Sequence, residues 1–433
     1  MSSSSSSSSK KQLTILFTPF DAFGHVHACI GIAEPLKQRG HRIVFGIATG
    51  WKGKLLPYGF EEVLYGEETK PSQVHVEFIK TYASELRKNS YDQLAVFEHD
   101  SQRDFINMVI DNDPLLRDVV KKVKPDIIIV DHYVCQPSLV TAGVPWIWLM
   151  SANPLGLNEE NCPPRGSGYP TDGDRNQWDK FRKELKRIYE PQWEEFNQWI
   201  IEQGAPPLTK QMWPFFQNAS PYLNIYLYPE ETDYLDLRPN PPKWFRCDAL
   251  VRTSESNGKF QIPEKLANKP GKLIYMSMGS FGSADLLLMK RLIGILEHSP
   301  HRFIISKGPL GDEYSLPDNM WGENMVPQVK ILPIVDLIIT HGGNNTITEN
   351  FYFGKPSIIL PLFADQFDNA QRIQEKGFGI RLDTYYCSEE ELLDAIEKLL
   401  ADKELAKKLN IMSKKMRETD NRAKVVELIE VLV

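Results

Sequence analysis

The residues best suited to chemistry lie in one short run, Thr340-His341-Gly342-Gly343-Asn344-Asn345-Thr346-Ile347-Thr348-Glu349. Adjacent glycines let a backbone come close to an anion. A helix opening just after them presents unpaired N–H groups and the positive end of its dipole. Asn345 and Thr346 then fall in the first turn as side-chain donors, and Glu349 follows one turn later on the same face. A carboxylate there suits a pair of hydroxyls and not a phosphate, so the run fits a nucleoside diphosphate laid along the helix. Downstream, Asp365-Gln366 sets an acid beside an amide, acceptor and donor for neighbouring sugar hydroxyls. A Gly-rich turn with a helix cap is the plain alternative for the first segment, and a solvated loop for the second.

A second constellation comes from the other end of the chain, where Phe23-Gly24-His25-Val26-His27 follows the first apolar run. A single glycine there is too few for the G-x-G-x-x-G dinucleotide fingerprint. An imidazole with its ordinary pKa near 6.5 can take a proton from a phenol or alcohol at neutral pH. It needs an acceptor on its other nitrogen to fix the tautomer and stabilise the imidazolium. Asp131 follows the β-branched run Ile127–Val130 and falls at the same sheet edge as His25. His27, read as the first turn of a helix, and His132 remain alternative bases. An Asp at a strand end also serves as a helix N-cap.

These residues need a scaffold that brings distant loops together. Leu13–Thr18, His41–Ile47, Ile127–Val130 and Val144–Leu149 are strand-like runs, separated by helical stretches such as His27–Arg39. The same order restarts with Lys272–Met276, Arg302–Ser306, Asp336–Thr340 and Ser357–Leu360. Apolar strands alternating with helices predict an α/β fold of doubly wound parallel sheets, with ligands beyond the carboxyl ends of the strands. Two Rossmann-like domains facing a cleft are expected, over 12–238 and 239–415, joined by the stiff segment Pro239-Asn240-Pro241-Pro242. Residues 1–11, mostly the Ser2–Ser9 tract, are expected to be a disordered leader. Residues 416–433 form a final amphipathic helix. Seven of the nine Trp fall between Trp146 and Trp244, which reads either as core packing or as an aromatic wall around a flat ligand.

Composition narrows the class. The chain has 433 residues, with 50 Lys+Arg against 57 Asp+Glu and a formal net charge of -7, which argues against nucleic-acid binding through bulk charge. The cysteines Cys29, Cys135, Cys162, Cys247 and Cys387 show no paired spacing, which argues against a disulfide framework and for a reducing compartment. No run approaches the about eighteen apolar residues of a membrane span. The stretch after Lys10-Lys11 is short and broken by Pro19 and Asp21, unlike a signal peptide. A cytoplasmic protein without a membrane anchor is expected.

The run THGGNNTITENFYFGKPSIILPLFADQFDNA, Thr340–Ala370, resembles the donor-binding signature of family 1 UDP-dependent glycosyltransferases, the UGTs, whose fold is GT-B. Pro327-Gln328 matches the end of that family's Trp-x-Pro-Gln segment. The resemblance implies that His341 and Thr346 hold the pyrophosphate, with Gly343, Asn345 and Ser280 beside them. It implies that Glu349 binds ribose, Gln328 faces uracil, Asp365 and Gln366 hold the sugar, and His25 in its Gly-His-Val loop is the catalytic base. Met325 stands where the family usually has the Trp that stacks on uracil. A thioether also packs on a ring face, with altered base discrimination. Gln366 resembles the glucose-using members. The family further implies an acceptor pocket from the Trp146–Trp244 stretch, with Trp146 and Trp148 as acceptor-binding residues, and a final helix packed back on the first domain.

The function so implied is inverting transfer of a hexose, glucose by preference, from a UDP-sugar to a hydroxyl of a small lipophilic acceptor such as a flavonoid or other phenolic. His25 acts as base and Asp131 orients it; no metal and no cofactor beyond the UDP-sugar co-substrate are expected. The pattern matches enzymes that conjugate xenobiotics or natural products. A GT-B sugar-nucleotide epimerase, which needs no acceptor, and a non-catalytic nucleotide-sugar-binding protein, which needs no base, are the alternatives.

Overall fold

In the computed structural model, residues 11–67, 71–157, 161–252, 259–419 and 421–433 are described; the Ser2–Ser9 tract lies outside them. Uninterrupted apolar runs become strands covered on both faces. The first sheet is built from β1 (Thr14–Pro19), β2 (Arg42–Ala48), β3 (Glu61–Tyr65), β4 (Ile127–Asp131), β5 (Trp146–Met150), β6 (Leu223–Leu227) and β7 (Trp244–Cys247). Their spatial order is β3-β2-β1-β4-β5-β6-β7, and every pair is parallel. The second sheet contains β8 (Leu273–Ser277), β9 (Arg302–Ser306), β10 (Met320–Glu323), β11 (Leu337–Thr340), β12 (Ser357–Ile359) and β13 (Gly379–Arg381). It runs β10-β9-β8-β11-β12-β13, again all parallel.

Both sheets therefore follow the doubly wound order and reverse direction at one point, between β1 and β4 and between β8 and β11. Register completes the placement: Pro19 pairs with Asp131 and Ser277 with Thr340. The loops leaving these strands are neighbours, which makes each reversal a ready-made crevice. The fold is GT-B, two Rossmann-like domains with a cleft between them.

The expected boundary at 238/239 is displaced. Pro239–Pro242 lies inside the first sheet, because β7 follows it and pairs with β6 through Asn224 and Trp244. The chain leaves the first sheet only after Cys247. The final helix, Asn421–Glu430, buries Val425, Val426 and Ile429 in the same core as Cys29, Ala33 and Leu36 of the helix Phe23–Gln38. Glu430 accepts hydrogen bonds from His41 Nε2 at 3.2 Å and Arg39 Nη2 at 3.4 Å.

Polar contacts also tie the domains at the cleft. Asn153 Nδ2 donates to Asn369 Oδ1 at 2.8 Å, Asn344 Nδ2 to the Leu227 carbonyl at 2.8 Å, and the Gly166 and Gly168 amides to Asp368 at 2.6 and 2.9 Å. All five cysteines are buried and unpaired with one another. Among the described residues, no helix is long and apolar enough to cross a membrane. Ile429→Ala should cost about 2–5 kcal/mol, the usual cost of emptying a buried aliphatic site. A lowered midpoint in chemical denaturation checks it.

Candidate active site

His25 reaches its place through a helix that begins earlier than expected. Ala22 is extended, with φ -143° and ψ 144°, and the helix starts at Phe23, so His25 is in its first turn and not in a preceding loop. Asp131, the last residue of β4, is fully buried. Its Oδ1 lies 2.9 Å from His25 Nδ1. Ser151, just past β5, donates to Asp131 Oδ2 at 2.7 Å, and its oxygen is 3.0 Å from His25 Nδ1. With the Ser151 proton committed to Asp131, both neighbours of Nδ1 are acceptors. Nδ1 therefore carries the hydrogen, and Nε2 keeps its lone pair. Nε2 is 3.5 Å from the Tyr133 hydroxyl.

The other two histidines lack this arrangement. His132 Nδ1 accepts the Val134 amide at 3.1 Å, and burial pushes its pKa down to about 3. Burial, with the nearby Arg252 cation, holds His27 well below its ordinary range. The structure brings His25, and neither neighbour, to Asp131.

One continuous cavity of about 1670 Å³ joins this site to the second domain. Ser280, Met325, Gln328, His341, Gly343, Asn345, Thr346, Asp365 and Gln366 all line it. The helix Asn344–Phe353 starts at Gly343 with no side chain capping its first turn, so its leading N–H groups are available to an anion. The His341 ring sits between Gly279 and Gly343: a Cβ on either would lie 2.5 Å from it. The second glycine thus makes room for an imidazole as well as for an anion. Burial lowers the His341 pKa to about 4, so the ring is neutral at pH 7.

Glu349 is absent from the cavity wall. It is fully buried, with Oε1 accepting from Arg252 at 2.8 Å and Asn345 at 3.1 Å, and Oε2 from Gln328 at 2.6 Å. Tyr275 donates to the Gln328 carbonyl oxygen at 3.2 Å, which fixes the amide. Glu349 therefore aims three cavity-lining side chains, Arg252, Gln328 and Asn345, instead of facing the cavity itself. Asp365 accepts the Asn153 amide at 2.9 Å, and burial raises its pKa. Gln366 Oε1 is held by the Leu362 amide at 3.0 Å.

Trp146 and Trp148 correct the aromatic expectation. Both belong to the core, where Trp148 packs on Trp244 at 5.3 Å and on Phe215 at 5.5 Å, because β5 is an interior strand with both faces covered. None of the seven Trp from Trp146 to Trp244 lines the cavity; Trp51 does. Its aromatic wall includes Phe20, Phe78, Phe97, Phe105, Tyr133 and Phe215. Sequence reasoning missed Ser151, Arg165 and Arg252. Ser151 was accessible in principle, since it stands just past a buried strand as Asp131 ends one.

A family described as UDP-glucoronosyl and UDP-glucosyl transferase matches residues 315–426. NDP-glycosyltransferase YjiC of Bacillus subtilis (strain 168) is 24% identical over 97% of this chain and 97% of its own length. The oleandomycin glycosyltransferase of Streptomyces antibioticus is 25% identical, covering 94% of this chain and 88% of its own. Among solved structures, the glycotransferase of kitacinnamycin superposes with a TM-score of 0.66 at 19% identity, over 98% of this chain and all of that one. Fold, cleft and relatives together define a glycosyltransferase, an enzyme that moves a sugar from a nucleotide-sugar donor to an acceptor. The family match over residues 315–426 and the full-length likeness to named glycosyltransferases support a family 1 glycosyltransferase.

The unfolded chain protonates His132 and His341 near 6.5, whereas the folded protein does so only near 3 and 4. Stability should therefore fall as pH drops from about 6.5 towards 4. Denaturation midpoints across that window check this, with His132→Gln flattening the slope. Glu349→Gln removes the carboxylate from Arg252 and should cost about 3–5 kcal/mol of stability, as breaking a buried pair does. Calorimetric titration should also show weaker UDP binding.

Proposed function

We propose that this enzyme transfers glucose from UDP-glucose to a hydroxyl of a small, flat, lipophilic acceptor, such as a flavonoid or another phenolic, with inversion at the anomeric carbon. The observation that carries this reading is the placement of His25 Nε2, held by Asp131 and Ser151, on the same cavity as the uncapped helix start at Gly343. His25 takes the acceptor's proton as its oxygen bonds to the anomeric carbon. The bond from that carbon to the diphosphate breaks on the opposite face, its electron pair leaves with UDP, and the α-linked donor becomes a β-linked product. The imidazolium so formed is balanced by the buried Asp131 charge. The growing diphosphate charge meets the first-turn amides of Asn345 and Thr346 and a neutral His341 N–H, preorganised donors of the kind that dominate catalysis. No step needs a metal ion.

The cavity exceeds the roughly 300–1,000 Å³ typical of a single small-molecule pocket, which supports donor and acceptor binding side by side. Asp365 and Gln366 would hold the sugar hydroxyls, Gln328 and Asn345 the nucleoside, and Met325, 63% exposed on the wall, the face of the base. The Phe-rich wall supports an aromatic acceptor. Relatives named for oleandomycin and kitacinnamycin support a natural-product-sized one. Five buried free cysteines support a reducing, cytoplasmic setting.

The test is UDP release from UDP-glucose with and without a panel of flavonoids and simple phenols, with product masses read in parallel. Release that depends on acceptor, with one hexose added, is expected. His25→Ala should lower turnover by about 10²–10⁴ and leave UDP affinity unchanged by calorimetry. Unchanged turnover would remove His25 from the mechanism.

A further inference from the structure

Arg165 lines the cavity with its guanidinium 4.5 Å above the Phe215 ring. Among the described residues, no hydrogen bond or ion pair engages that guanidinium. The other arginines at the domain junction are committed. Arg372 donates to the Thr232 carbonyl at 3.0 Å, Arg381 to the Gly168 carbonyl at 2.8 Å, and Arg238 to the Pro154 carbonyl at 2.8 Å. Nor is Arg165 a hydrogen-bonding partner for the carboxylates within its field. Asp365 is held by the Asn153 amide, and Asp368 by the Gly166 and Gly168 amides. The stacked pair is nonetheless built into the fold. Its stem and the Phe215 ring share the space over Gly156, where a Cβ would come within 2.9 Å of both.

We propose that Arg165 and Phe215 form a carboxylate subsite, and that the preferred acceptors are hydroxylated aromatic acids. This rests on the reading of the cavity as an aromatic-acceptor site. A guanidinium stacked on a ring keeps its edge N–H donors free, and their fork geometry matches a carboxylate. Position favours the acceptor over a uronic-acid sugar as the source of that carboxylate. Phe215 stacks on Tyr133 at 6.1 Å, and Tyr133 lies against His25 at 5.3 Å, so the subsite continues the aromatic wall that leads to the base.

The experiment compares 4-hydroxycinnamate with its methyl ester, each with UDP-glucose and with UDP-glucuronate, in wild type, Arg165→Met and Arg165→Lys. Wild type should favour the acid by about 10–100-fold in kcat/KM, the worth of a charge-assisted hydrogen bond. Arg165→Met should abolish that preference, and Arg165→Lys, which keeps charge without the fork, should lose most of it. An equal acid-to-ester ratio in wild type and Arg165→Met overturns the inference. So does a change confined to the choice between UDP-glucose and UDP-glucuronate, which would put the carboxylate on the sugar. Failure to turn over either compound would count against the aromatic-acceptor reading alone. The subsite is then decided by binding with UDP present, followed through tryptophan fluorescence. Loss of affinity for the acid only, in Arg165→Met, supports it, and equal affinities overturn it.

Discussion

The Asp131 carboxylate is removed from solvent altogether, and a buried carboxylate is costly unless polar groups meet it. Ser151 donates a hydrogen bond to it and His25 Nδ1 lies 2.9 Å from it, each arriving from beyond the end of a strand adjacent to β4: His25 from the helix that opens after β1, Ser151 from the residue after β5. Two strand pairings therefore decide whether His25, Asp131 and Ser151 meet. The same contacts settle the chemistry of His25, because two acceptors around Nδ1 leave only Nε2 to take a proton.

The second domain repeats the device with a different outcome. Glu349 is also fully buried, but its partners are Arg252, Gln328 and Asn345, so its charge is spent within the protein. What the cavity receives is two amides and a guanidinium held at fixed angles. Arg252 comes from the segment that follows the first sheet, which links the geometry around Glu349 to the way the domains sit together. Contacts of Asn153 with Asp365 and Asn369 do the same. The two sides of the cavity are thus not independent, since one loop of the first domain touches Asp365 and Asn369 of the second.

Much of the scaffold was legible in the residue order. Uninterrupted runs such as Ile127–Val130 and Arg302–Ser306 are strands within a residue or so of the expected limits, because continuous apolar sequence has no other stable place than a two-sided core. Strands with a polar interruption were not legible. β6 carries Asn224, whose side chain is buried and satisfied by Ser220 and by the Lys243 carbonyl, partners that exist only after folding. Missing β6 and β7 is what misplaced the domain boundary at the proline segment.

By itself, the sequence determined the two-sheet grammar and the glycine-bounded helix start at His341–Glu349. It also determined the identity of His25 and Asp131 as groups able to meet, since these depend on local pattern and on the rule that ligands gather beyond strand ends. Only the tertiary structure decided which groups face the cavity. Trp146 and Trp148 turned into the core, while Phe20, Phe78 and Phe97, far apart in the chain, became its wall. Glu349 withdrew behind Gln328 and Asn345, Ser151 joined His25 and Asp131, and Arg165 was left uncommitted over Phe215. The reason is physical. Residue type and spacing set what a side chain can do and which element carries it. Burial, hydrogen-bond satisfaction and charge pairing depend on neighbours brought together from hundreds of residues away.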